Sequence, residues 1–318
     1  MQKGKEVTKF VVKLVISVSL IAYIFTTQID LSDLIDLLSQ TRIFWLLTGL
    51  AAIILSNFLG SYQWHMILNE TDVKLPYRKS FKYYHTGLFF NNFLLSFIGG
   101  DVVRVYDISK TSGKSPAALS TVFLDRLVGL SMLSFFALFF AVISGEFIKT
   151  KIIFLSSFGF FLILLFMLLF FFFKRFAKKF QGFGEKILPG MFHKGAHDIY
   201  NNIYHFKKKK FILFKIFCVS FIVQILRIMV HYFAALSIGI SVNFVYFFIM
   251  IPIILLVIII PISIGGLGVR EQTAVILFSK IGITGPEAVL MELLAYIIGI
   301  VSSLPGGVMF LISRERKK

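Results

Sequence analysis

Apolar runs of about 20 residues recur along the whole 318-residue chain, and they set its fold class before any motif is considered. A stretch of that length crosses a ~30 Å hydrocarbon core as a helix. In lipid each backbone polar group must be satisfied within the segment or its neighbours, so spanning helices are the expected elements. Six runs lie at about 7–27, 43–68, 117–144, 151–173, 211–238 and 287–312. Two more, at about 81–98 and 243–263, run into paired glycines. Composition agrees: 57% of residues are hydrophobic and 39 are Phe, well above a soluble domain's usage. The expectation is an all-α polytopic membrane protein, one membrane domain over 1–318 with a basic connector at 174–210. The 7–27 run reads as a first span rather than a cleaved signal, being long and followed by no small-residue cleavage site.

The glycine-ended runs carry a repeated block. Ile98-Gly99-Gly100-Asp101-Val102-Val103-Arg104 is answered by Ile264-Gly265-Gly266-Leu267-Gly268-Val269-Arg270. Both place an arginine four residues after the second glycine. Both lead to a proline, Pro116 or Pro286, and from each proline a glycine, Gly129 or Gly299, lies thirteen residues on. Matching blocks in matching hydropathic context point to internal duplication, with repeats at about 7–144 and 151–312. The hairpin glycines Gly99, Gly100, Gly265 and Gly266 relieve the steric limits on turning the chain. Ser115-Pro116 and Gly285-Pro286 read as a cap followed by proline at the first helical position.

Charge fixes the topology. The net charge of +17 does not mark a nucleic-acid binder, because the basic residues sit in connectors, where the positive-inside rule accounts for them. If all eight runs crossed, the connector 174–210 would face away from the basic N-terminus. Treating both glycine-ended runs as re-entrant hairpins puts 26 of the 33 Lys and Arg in cytoplasmic pieces and 5 outside. Both termini are then cytoplasmic, in a prokaryotic-type inner membrane. Each repeat becomes three spans plus one hairpin, the second inverted relative to the first. Inverted repeats with broken helices belong to alternating-access transporters.

Within that frame certain polar residues stand out. Arg104 and Arg270 follow helix starts, where positive potential suits a phosphate held by a planar guanidinium; for Arg104, snorkelling to the interface is the plainer reading. Asp125 and Arg126 interrupt an apolar span, where charges are costly unless paired or cavity-facing. A structural ion pair and a transport role stay equally open for them. Gln224, Arg227 and His231 share one helix face, suited to lining a cavity or to helix–helix hydrogen bonding. Asn92, and Asn91 beside it, stand in the first hairpin, either to cap broken backbone or to touch substrate. Glu271 and Glu292 are candidate proton carriers. His193, His197 and His205 read as solvated connector residues, so no metal site is expected, and no cofactor motif appears. The lone Cys218 excludes a disulfide framework. Lys207 to Lys210 suit anionic lipid head groups.

Asn92, the first glycine block, the Leu124-Asp125-Arg126-Leu127-Val128-Gly129 segment and Pro261-Ile262-Ser263 running into the second block through Glu271 together resemble one family. It is the flippase-like membrane family that includes the transmembrane region of lysylphosphatidylglycerol synthases. The resemblance spans nearly the whole chain, although Leu95-Ser96-Phe97 stands where many relatives carry proline and glycine. The expectation is that no soluble aminoacyl-transfer domain follows the last span. The resemblance therefore implies translocation of an anionic phospholipid or related lipid, not its synthesis, and no enzyme activity. The alternative is a membrane-embedded enzyme or accessory protein acting on lipid-linked or envelope precursors. A homodimer is left open.

Overall fold

The computed structural model describes residues 2–27, 31–93, 99–145, 151–173, 194–260 and 262–315, and among these all regular structure is helical. The first half holds α1 (Gln2–Thr27), α2 (Leu31–Ser39), α3 (Ile43–Asn69), α4 (Tyr77–Phe93), α5 (Gly99–Ser112) and α6 (Ser115–Ser144). The second holds α7 (Lys151–Phe172), α8 (Lys194–His205), α9 (Lys210–Ser237), α10 (Val245–Val257), α11 (Val269–Phe278) and α12 (Gly285–Glu315). The order of long and short elements is the same in both. Among the described residues, α3, α6, α9 and residues 285–313 of α12 are long and apolar enough to cross a membrane. The other two expected spans, α1 and α7, are helical over 26 and 22 residues. The helices flanking the glycine blocks run 17, 14, 13 and 10 residues, each short of the ~20 that a crossing needs. Residues 94–98, Pro261, and the 174–193 part of the connector with His193 lie outside the described residues; α8 occupies much of the connector's remainder.

The packing is reciprocal. Helices α3 and α9 lie along each other, α4 packs on α12, and α10 packs on α6. Each half thus lays the helix before its glycine block against the other half's last helix. Helix α10 is apolar all round and buried from Phe247 to Ile254, as a helix without a polar face must be. The outer faces carry exposed Phe58, Phe139, Val142, Phe214 and Leu311, surface that lipid solvates without penalty.

The two glycine pairs do different work. Gly265, Gly266 and Gly268 have φ of 58°, 73° and 80°, a left-handed region open to glycine at little cost. Gly99 and Gly100 instead form the first turn of α5, and an added Cβ on Gly100 would run into the backbone of Gly87 in α4. Gly100 therefore serves close approach. Helix caps also differ from expectation. Helix α6 begins at Ser115, leaving Lys114 as an N-cap without a side-chain bond. At α12, Glu287 accepts hydrogen bonds from the N–H and hydroxyl of Thr284 at 2.8 Å each, so Thr284 is the capping residue. A glutamate three residues inside the helix start reaches back to do this.

Close α4–α12 contact depends on Pro305-Gly306-Gly307, where proline loosens the helix and a Cβ on Gly306 would meet the His85 carbonyl. Gly306→Ala is expected to cost about 1–3 kcal/mol by overpacking, read as a lower unfolding temperature in detergent. Gly159→Ala, whose added Cβ meets nothing within 4 Å, is the control and should not lower it. Equal losses would contradict the close packing.

Candidate functional site

A charged network forms where α5, α6, α3, α4 and α9 converge. Arg104 is 4% exposed and stacks on the Trp64 and Tyr84 rings, 4.1 and 4.8 Å from their centroids. It donates to Asp125 Oδ2 at 2.9 Å and to Asp101 Oδ1 at 3.3 Å. Arg126 Nε donates to Asp101 Oδ2 at 2.7 Å, and Gln63 Nε2 donates to Asp125 Oδ1 at 2.9 Å. Asp101 sits in the first turn of α5, where a carboxylate complements the helix dipole. Gly100 N–H donates to Asn91 Oδ1 at 2.8 Å, so Asn91 fastens the start of α5. The helix start and its arginine are thus already answered by the chain's own carboxylates.

A cavity of about 280 Å³ opens onto this network, room for several waters. Of the residues singled out from sequence, Arg104, Asp125, Arg126, Arg227, Asn92 and Gln224 line it. The Arg126 side chain is 41% exposed although it lies in the interior of a 30-residue apolar helix, so the opening reaches a guanidinium at depth. Arg227 donates to the Tyr84 hydroxyl at 3.3 Å and has no carboxylate within ion-pair distance among the described residues. Counting Arg104, Arg126 and Arg227 against Asp101 and Asp125, the network holds one positive charge in excess. The Oε1 atoms of Gln63 and Gln224 have no hydrogen-bond partner, which leaves acceptors at the cavity wall for water or a ligand.

Arg270 does not line this cavity. It belongs to a second cluster, 4% exposed, with its guanidinium 4.3 Å from the Tyr296 ring centroid and its Nε donating to Glu271 Oε1 at 3.1 Å. Glu271 Oε2 accepts from Gly268 N–H at 2.8 Å. Glu292 joins through His231 Nδ1, 3.0 Å from its Oε1. The repeat-related arginines thus share a plan: burial, an aromatic ring, a carboxylate from their own helix start and another from the following long helix. Their surroundings differ, since the first arginine borders a cavity and the second is enclosed. The stripe on α9 links them, Arg227 reaching the first cluster and His231 the second.

The family model for the lysylphosphatidylglycerol synthase TM region matches residues 10–306. The chain belongs to that family. No curated protein matches the chain by sequence. The family places the chain among lipid-related membrane proteins, in accord with its spanning helices.

Asp101, Gln63, Trp64 and Tyr84 were not singled out by sequence reading. Asp101 carried a visible signal, standing three residues before Arg104 and so on the same helix face. Gln63, Trp64 and Tyr84 carried none, because tertiary packing alone brings α3 and α4 to α5.

Removing Asp125 alone strands a buried guanidinium, a loss of about 3–5 kcal/mol. Arg104→Leu with Asp125→Leu leaves Asp101 and Arg126 as a balanced pair. The double variant should therefore lose less stability than the sum of the two singles, by about 0.5–3 kcal/mol of coupling, measured by unfolding in detergent. Strict additivity would contradict the network.

Proposed function

We propose that this protein moves an anionic phospholipid between membrane leaflets by alternating access, as a transporter and not an enzyme. The head group enters the cavity beside Arg227 while its acyl chains stay in the bilayer. The observation that carries this reading is the charge imbalance of the network at the cavity: three guanidiniums against two carboxylates, with the unbalanced Arg227 at the wall. One excess positive charge suits a phosphodiester of charge −1 and disfavours a head group that is net cationic.

The architecture supports the cycle. The short paired helices α4–α5 and α10–α11 act as re-entrant hairpins of two inverted repeats, and their reciprocal packing on α12 and α6 is what a pseudo-two-fold axis in the membrane plane would produce. The contrast between a cavity at Arg104 and an enclosed cluster at Arg270 is the asymmetry expected of one state in such a cycle. In the opposite state the roles exchange. The lysine- and arginine-rich connectors and both termini face the cytoplasm of an inner membrane. Lys209, which pairs with Glu70, and its neighbouring lysines rest near anionic head groups.

In liposomes holding a labelled anionic phospholipid in one leaflet, the purified protein should equilibrate the lipid between leaflets without altering it chemically. Arg227→Gln should slow this by about 10- to 100-fold, the loss of one charge-assisted bond of about 1.5–3 kcal/mol. Arg227→Lys should retain part of the rate, since the charge remains without the fork. A wild-type rate equal to that of protein-free liposomes would overturn the proposal.

A further inference from the structure

The enclosed second cluster has a different charge problem. Arg270 supplies one positive charge, and Glu271 and Glu292 are two carboxylates, 5% and 0% exposed. Glu271 is saturated: one oxygen takes the guanidinium and the other takes the Gly268 N–H. Glu292 is not. Its Oε1 faces His231 Nδ1, while Oε2 lies 3.7 Å from Arg270 Nε, beyond hydrogen-bond reach, and has no hydrogen-bond partner. A fully buried carboxylate oxygen without a donor is costly when ionised, and a proton on it removes the cost of burying the charge.

His231 would supply the missing charge only by carrying the proton itself; among the described residues no other side chain near Glu292 does. Helix α2 brings Asp33 and Asp36, both exposed. The only titratable side chain of α3 besides tyrosine is His65, near its far end, and α10 has no charged residue. Helix α4 reaches Gly299 of α12 with the neutral Asn92, and its His85 lies at Gly306, about four turns from Glu292. Lys280 is exposed. Helix α1 sets Ser17 and Leu20 against the second glycine block, with Lys13 about two turns from Leu20.

We propose that Glu292 is a proton-binding site, carrying the proton on Oε2 with His231 donating to Oε1 through Nδ1. Opening of the second cluster to water, as the two halves exchange roles, is the step at which the proton is gained or lost. His231 stands one helical turn from Arg227 on α9, so neutralising Glu292 raises the potential at the cavity and favours an anion there. Proton and head group then bind together, and their joint movement is electroneutral cotransport. Coupling to lipid movement depends on the translocation reading; proton binding at Glu292 does not.

Two measurements on the full chain separate these. Infrared difference spectra of the protein in lipid should show the carbonyl band of a protonated carboxyl that titrates with pH and is absent from Glu292→Gln. Should that variant fail to fold, His231→Asn serves instead, keeping the band but shifting its frequency. In liposomes, a gradient of one pH unit should enrich the labelled anionic lipid about tenfold in one leaflet at steady state, the ratio for one proton per lipid, and Glu292→Gln should leave the leaflets equal. A wild-type protein without the band, or a band untouched by both substitutions, overturns the proton site. Lipid movement indifferent to the gradient overturns the coupling and leaves translocation standing. A band that titrates and is lost in Glu292→Gln, in a protein that moves no lipid, upholds the site and removes translocation.

Discussion

A guanidinium below the surface of a membrane protein must find carboxylates, aromatic faces or water, because hydrocarbon offers it nothing. The fold can be read as two solutions of that one constraint. Arg104 and Arg270 are equally buried, each laid on an aromatic ring and each held by an acidic residue of its own helix start. Helices α5 and α11 cannot move far without breaking these pairs, so each glycine block and its arginine form a rigid unit against the following long helix. Buried ion pairs are weak evidence of added stability; here their weight is in fixing which surfaces meet.

From that fixed pairing the functional contrast follows. The first unit borders an opening that reaches the guanidinium of Arg126, while the second is closed, with a carboxylate oxygen left without a donor. Between them runs α9, which contributes Arg227 to the open side and His231 to the closed side. A shift of α9 against α3, the helix it lies along, touches both clusters at once. Arg227 and His231, one turn apart on a single helix, are a short physical route for coupling, with no longer pathway needed.

Much of this was legible in the chain. Spans, the repeated block and the polar stripe of α9 follow from period and hydropathy, because lipid allows few ways to satisfy a backbone. Gly265 and Gly266 hold positive φ, a backbone that favours glycine. Gly100 instead meets the backbone of Gly87, since identical dipeptides serve different needs depending on what packs beside them. Arg104 and Arg270 looked like twin anion ligands from spacing alone. The structure gives both to internal carboxylates and leaves the unbalanced charge on Arg227, because charge balance depends on which helices meet. Gln63 and Tyr84 were invisible for the same reason.

The most direct test of this account is a density map of the protein in nanodiscs of an anionic phospholipid. A phosphate density within hydrogen-bond reach of Arg227, flanked by Gln224 and Gln63, with acyl chains leaving between helices, is the predicted result. A cavity filled by water alone, with lipid head groups found only at the two interfaces, would contradict it.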